Sequence, residues 1–199
     1  LEGRAAGVRG MTDPSIAFLV ALVGGYLIGS IPFGLLLTRA AGLGDIRAIG
    51  SGNIGATNVL RTQGRLLGVG TLLLDIAKGW LAVWVAARFT DQSPLWMSAA
   101  AIAVMAGHAF PVFLKFQGGK AVASFIGAFL YLTPAPLLAV LLVFVAVVGA
   151  KRYISLGSII AAGMFPFAVW MILHPEWPVL TAAALAGGFI VYRHKSNVE

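Results

Sequence analysis

Apolar residues in this chain do not alternate with polar ones. They run in long blocks, at 16–37, 66–87, 95–114, 122–132, 137–150, 155–173 and 179–192. A helical membrane span takes about 20 residues, so the pattern predicts an all-α integral membrane protein with about seven transmembrane helices. Two blocks, 122–132 and 137–150, are short. Between them Thr133-Pro134-Ala135-Pro136 reads either as a tight turn between spans or as a break in an interfacial hairpin, which leaves five or six spans open. No repeat of 20–50 residues is visible. The longest run of glycine and polar residues, Gly50-Ser51-Gly52-Asn53-Ile54-Gly55-Ala56-Thr57-Asn58-Val59-Leu60-Arg61, interrupts the first two blocks.

Composition strengthens the membrane reading. The 199 residues are 59% hydrophobic and only 11% charged, with a mean hydropathy of +0.93, far from ordinary soluble domains. Residues 1–10 precede Met11 and read as a cloning scar, with 11–199 as a single polytopic domain. The first apolar block is long enough to span and is not followed by a clear signal-peptide cleavage site. The absence of cysteine excludes disulfides, Cys-based zinc sites, iron–sulfur clusters and a thiol nucleophile.

The net charge of +7 would suggest nucleic acid in a soluble protein. Here its placement argues otherwise. If loops are assigned to alternate sides, one side receives Arg39, Arg47, Arg61, Arg65, Lys115, Lys120, Lys151, Arg152, Arg193 and Lys195, and the other only Arg88. Basic loops stay in the cytoplasm. The N-terminus is therefore expected outside and the C-terminus inside, with an odd number of spans, function facing the cytoplasm and no nucleic-acid partner.

The basic side carries the candidate chemistry. The 50–61 stretch suits a loop whose backbone N–H groups converge on an anion, although taken alone it also fits a solvated turn. In the second cytoplasmic loop, Gly118-Gly119-Lys120 enters an apolar helix, so that flexible N–H groups, a helix N-terminus and an ammonium converge on a phosphate site. It is not a Walker A loop, because Leu114 and Ala121 occupy positions that pattern reserves for glycine and Ser or Thr. Asp75 and Lys78, three residues apart inside an apolar block, are expected to pair, with a part in catalysis as the alternative. His108 is a candidate base or a helix-end histidine. His194 and Asn197 lie at the end of the last helix, and Ser155 suits a helix N-cap better than a nucleophile. Gly25 and Gly29 fit close helix packing.

What is missing narrows the choice. There is no Gly-x-Ser-x-Gly elbow, no His-x-x-x-x-Asp signature and no metal-ligand histidine pair. The inventory consists of donors, which suit a polyanionic substrate and a developing oxyanion; no cofactor and no metal are expected.

Six blocks then resemble the bacterial acyl-phosphate:glycerol-3-phosphate acyltransferase (PlsY) family, in order and over nearly the whole chain from Met11. They are 26–34, 50–58 with Arg61, Leu74-Asp75-Ile76-Ala77-Lys78-Gly79, 107–124, Lys151-Arg152-Tyr153-Ile154-Ser155, and Tyr192-Arg193-His194 with Asn197. The resemblance implies a seven-helix inner-membrane enzyme that moves a fatty acyl group from acyl phosphate to the 1-hydroxyl of glycerol 3-phosphate. Its products would be lysophosphatidic acid and phosphate, in phospholipid synthesis. Membrane lipid is the surrounding partner, and no protein partner is identified. Ser51 and Arg61 match the family's first motif, Gly118, Gly119 and Lys120 its glycerol-phosphate motif, and His194 and Asn197 its last. On these matches Ser51, Arg61, His194 and Asn197 are expected to be catalytic and Gly118, Gly119 and Lys120 to bind substrate. Beside them Asn53, Asn58, His108 and Ser155 are expected to bind substrate, and either the acyl phosphate's own phosphate, as the resemblance implies, or His108 or His194 accepts the hydroxyl proton. The family's last motif continues past the point where this chain stops, at Val198-Glu199. A transporter of phosphorylated solutes is the rival class, and the gathering of donors on one face speaks against it.

Overall fold

The structure, a computed structural model, describes residues 13–195. Residues 1–10 and Asn197 lie outside the described residues. Among those described there is no strand. The chain forms α1 (Pro14–Phe18), a π-helical turn (Leu19–Gly24), α2 (Gly25–Ser30), α3 (Phe33–Ala40), α4 (Ala56–Gln63), α5 (Arg65–Phe89), α6 (Pro94–Ala109), α7 (Val122–Leu132), α8 (Pro134–Lys151), α9 (Ile154–Leu173) and α10 (Trp177–Arg193). Short 3-10 turns, Ile46–Ala48 and Val112–Leu114, precede α4 and α7.

Local chemistry sets these limits. Asp13 caps α1 by accepting the Ser15 N–H at 2.8 Å, and a proline stands in the first turn of α1, α6, α8 and α10, where its missing N–H costs nothing. Pro32 separates α2 from α3 within one apolar stretch. Thr133 alone separates α7 from α8: its N–H closes α7 on the Phe129 carbonyl at 2.8 Å, and its carbonyl accepts the Leu137 N–H of α8. The segment is thus a tight turn between two helices. Ser155 is not a cap. The residue before α9 is Tyr153, so Ser155 sits second in that helix.

Five helical stretches are long and apolar enough to cross a membrane: Pro14–Ala40, Arg65–Phe89, Pro94–Leu114, Pro134–Lys151 and Ile154–Leu173. Helices α7 and α10 are apolar but shorter, at 11 and 17 residues. Large apolar side chains point outward; Phe167 and Met171 are each 68% exposed, an arrangement suited to lipid rather than water.

Inside, Phe125, Phe129 and Phe165 form a ring cluster with centroids 4.8–5.0 Å apart. Small neighbours such as Ala82, Ala101, Ala183 and Ala186 let the helices approach it. Gly29 on α2 lies so close to α6 that a Cβ would collide with the Val104 carbonyl, and a Cβ on Gly25 would stand 3.2 Å from that of Ala103. The expected close packing is present. A second buried group, Leu35, Ile46, Ile54, Val59 and Leu114, joins the segment around 46–59 to the turn before α7. The two polar loops are thereby held at one end of the bundle. Helix α5 has Arg65 at that end and Arg88 at the other, separated by about 35 Å at 1.5 Å per residue.

Candidate functional site

The 50–61 loop is organised from within by Asn58. This side chain is 2% exposed. Its amide nitrogen donates to the carbonyls of Asn53 at 2.9 Å and Ile49 at 3.0 Å. Its amide oxygen accepts the Ser51 N–H at 3.0 Å and the Arg61 guanidinium at 3.3 Å. Gly50 and Gly52 hold left-handed backbone angles, φ +65° and +69°, that a side chain would resist. Asn53 accepts the Gly55 N–H at 2.8 Å, and the Gly52 N–H goes to the Ile49 carbonyl.

These bonds correct two expectations. The amides of Ser51, Gly52 and Gly55 are engaged inside the loop and do not form an open nest. Asn58, expected to bind substrate, is a buried clamp instead. What the loop presents outward is the exposed Ser51, the half-buried Asn53 and the exposed guanidinium of Arg61. Arg61 has no carboxylate partner among the described residues. Nearby, Arg39 and Arg47 are neutralised by Asp45, at 3.0 and 2.6 Å; the Arg47 hydrogen bond holds the Asp45 carboxyl well below the usual carboxylate range. The Asp45 carboxylate is therefore already committed.

The second loop differs from its sequence reading in the same way. Gly118 donates its N–H to the Ala109 carbonyl at 3.1 Å and Gly119 to that of His108 at 3.0 Å. Both glycine amides thus cap the end of α6 and are not aimed at a phosphate. The glycines are needed for close approach, since a Cβ on Gly118 would collide with the His108 carbonyl and one on Gly119 with the His108 imidazole. After Lys120, Ala121 turns left-handed, at φ +62°, into α7. The first amides of α7 have no intrahelical acceptor, so the helix N-terminus beside Lys120 keeps its anion-binding character.

Lys120 is half-buried. Burial lowers its ammonium below the ordinary lysine value, and the charge of Arg193 adds to the shift. Arg193 donates to the Gly119 carbonyl at 2.9 Å and lies over the Phe110 ring at 5.1 Å. The next residue, His194, is 4% exposed and its Nδ1 is 2.8 Å from the Ile190 carbonyl. Because a carbonyl only accepts, Nδ1 carries the proton and Nε2 is left as the acceptor in the neutral ring. Burial lowers the His194 value, and the charges of Lys120 and Arg193 act in the same direction.

The structure therefore brings Gly119, Lys120 and His194 together and adds Arg193, which the sequence reading left out of the site. Its place in the chain was the available signal: it immediately precedes His194. Ser155 is not joined to this group, and its hydroxyl makes no hydrogen bond among the described residues. His108 is 4% exposed, behind Gly119, and faces Asp75 rather than the surface. The expected pairing of Asp75 and Lys78 is present at 2.7 Å, with both residues 2% exposed at their side chains.

The profile of the family described as glycerol-3-phosphate acyltransferase matches residues 19–199. The chain belongs to the glycerol-3-phosphate acyltransferase family. It is 46% identical to the glycerol-3-phosphate acyltransferase of Mesorhizobium japonicum over 181 residues, 91% of this chain and 90% of that protein. It is 47% identical to that of Geobacter sulfurreducens over 175 residues, 87% and 88% of the two chains. Among solved structures it is similar to PlsY, an integral membrane glycerol 3-phosphate acyltransferase, in two forms. The glycerol 3-phosphate form superposes with a TM-score of 0.84 at 36% identity, and the lysophosphatidic acid form with 0.83 at 35%. Each comparison covers 92% of this chain and 90% of the other. This member of the acyltransferase family is thus an all-helical membrane protein over its described residues.

Proposed function

We propose that the chain transfers a fatty acyl group from acyl phosphate to the 1-hydroxyl of glycerol 3-phosphate, releasing lysophosphatidic acid and inorganic phosphate. The observation that carries this reading is the convergence of Lys120, Arg193, His194 and the α7 N-terminus at the end of the bundle to which Leu114 also ties the Arg61 loop. Such a set of donors fits two phosphates and has no built-in carboxylate base. Membership of the family and likeness to a protein solved with glycerol 3-phosphate support it.

Lys120 and the first-turn amides of α7 bind the phosphate of glycerol 3-phosphate. Ser51, Asn53 and Arg61 face the acyl phosphate and the oxyanion formed when the 1-hydroxyl attacks its carbonyl carbon. One well-placed donor of this type is worth roughly 3–4 kcal/mol in the transition state. Collapse of the tetrahedral intermediate breaks the carbonyl–phosphate bond, and the departing phosphate takes the hydroxyl proton. Acyl phosphate is already activated, so alignment supplies much of the rate. His194 and Asn197 close the site. The acyl tail remains in the apolar surroundings, where each buried methylene contributes about 0.8 kcal/mol.

The reading extends to topology: seven spans, with α7 and α10 as short ones, in the bacterial inner membrane, N-terminus outside and active site in the cytoplasm. Its chemistry is tested with purified protein, long-chain acyl phosphate and glycerol 3-phosphate. Equal amounts of phosphate and lysophosphatidic acid are expected. Transfer only from an acyl thioester, or no transfer, would overturn the reading.

A further inference from the structure

Beneath Lys120 lies a buried chain of polar groups that takes no part in the transfer as written above. Lys78 Nζ stands 2.7 Å from Asp75 Oδ1 and donates to the Ile31 carbonyl at 2.8 Å, at the break that Pro32 makes between α2 and α3. The same Asp75 oxygen is 3.6 Å from Nδ1 of His108, a facing carboxylate at electrostatic range, and that buried Nδ1 makes no hydrogen bond among the described residues. His108 in turn accepts the Gly119 N–H on its own carbonyl at 3.0 Å, while its imidazole forms the surface against which Gly119 rests, with no room for a Cβ. From the other side Arg193 donates to the Gly119 carbonyl at 2.9 Å. Gly119 is thus held at its amide, its carbonyl and its Cα immediately before the lysine that faces the phosphate.

An ion pair kept only for fold support would need Asp75 and Lys78 alone. Here the pair also reaches two backbone elements, the α2–α3 break and, through His108, the loop carrying Lys120. We propose that His108, oriented by Asp75 and Lys78, is a positioning residue for glycerol 3-phosphate: it fixes the Gly119 backbone and so the placement of the Lys120 ammonium. This rests on the proposed assignment of glycerol 3-phosphate to Lys120. His108 touches neither substrate and transfers no proton; it acts through Gly119.

The test combines equilibrium dialysis of labelled glycerol 3-phosphate with steady-state transfer by the full chain in lipid vesicles. His108→Ala is expected to raise both the Kd and the KM for glycerol 3-phosphate about tenfold, with the KM for acyl phosphate changed less than twofold. Equal losses for both substrates, or none, would overturn the proposal. Gly119→Ala places a methyl against the imidazole, and its loss of binding is expected to recover at least fivefold when His108→Ala is added. Losses that simply multiply would overturn the contact. Asp75→Asn, which keeps the shape, is expected to retain more glycerol 3-phosphate binding than Asp75→Ala; equal binding by the two removes Asp75 from the chain of influence. If the unsubstituted protein transfers acyl groups while the variants show no selective loss, the positioning role falls and the activity stands. If it neither transfers nor binds glycerol 3-phosphate, both fall.

Discussion

At the scale of single residues, Lys120 and Asn58 separate two kinds of contribution. Lys120 brings a charge. A charge-assisted hydrogen bond contributes about 1.5–3 kcal/mol, so Lys120→Ala should raise the KM for glycerol 3-phosphate by roughly 10- to 150-fold, as read from initial rates at saturating acyl phosphate. The pH dependence has a definite sign. Burial and Arg193 lower the Lys120 value, so the ammonium is lost at a lower pH than in an ordinary lysine. The substrate phosphate is already doubly charged above about pH 7. The KM should therefore rise with pH on the alkaline side, and Arg193→Gln, by removing the neighbouring charge, should move that rise to higher pH. Asn58 brings no charge to the mouth, but its side chain holds the carbonyls of Asn53 and Ile49 and the amide of Ser51. Asn58→Leu should lower thermal stability by about 1–3 kcal/mol and reduce transfer through disorder of Ser51 and Arg61. Lys120 and His194 were legible from residue type and from place on the basic face. The directions of the Gly118 and Gly119 amides were not, because their acceptors, Ala109 and His108, belong to the preceding helix end.

At the scale of elements, the apolar blocks located the helices closely because a lipid-facing helix leaves no freedom to interrupt its apolar run. The break at Thr133 also follows from local chemistry, since Pro134 suits the first position of a helix, where its missing N–H costs nothing. Position within a helix was less legible. Ser155 has the side chain of an N-cap, yet α9 begins one residue earlier, with Tyr153 before it; the backbone, not the hydroxyl, decides. Partners across helices were legible in part. The spacing of Asp75 and Lys78 announces a pair, but His108 on α6 and the Ile31 carbonyl enter only through packing. Gly29 shows how tight that packing is. Gly29→Leu would drive a side chain into the α6 backbone at Val104, and overpacking of this kind costs about 1–3 kcal/mol or more. Thermal unfolding in detergent should show the loss, whereas a leucine at the open Gly163 should leave the transition nearly unchanged.

For the whole molecule, the distribution of charge gives a prediction that does not depend on catalysis. Arg65 and Arg88 lie at opposite ends of α5, and the basic residues of the candidate site gather at the Arg65 end through the buried contacts of Leu114 with Ile54 and Val59. Positive charge retained in the cytoplasm orients a helical membrane protein, so the Arg65 end should face the cytoplasm and the Asp91–Gln92 turn the outside. The chain has no cysteine, which permits single introduced thiols to report each side without background. Lys115 and Gln92 are both exposed and at opposite ends. A maleimide that cannot cross the membrane should label Gln92→Cys in intact spheroplasts and leave Lys115→Cys unlabelled until the cells are opened. The reverse pattern would place the phosphate-facing donors outside, where a cytoplasmic pool of glycerol 3-phosphate cannot reach them. Labelling of both thiols from one side would instead require an even number of crossings between 92 and 115, against the single α6 helix that joins them.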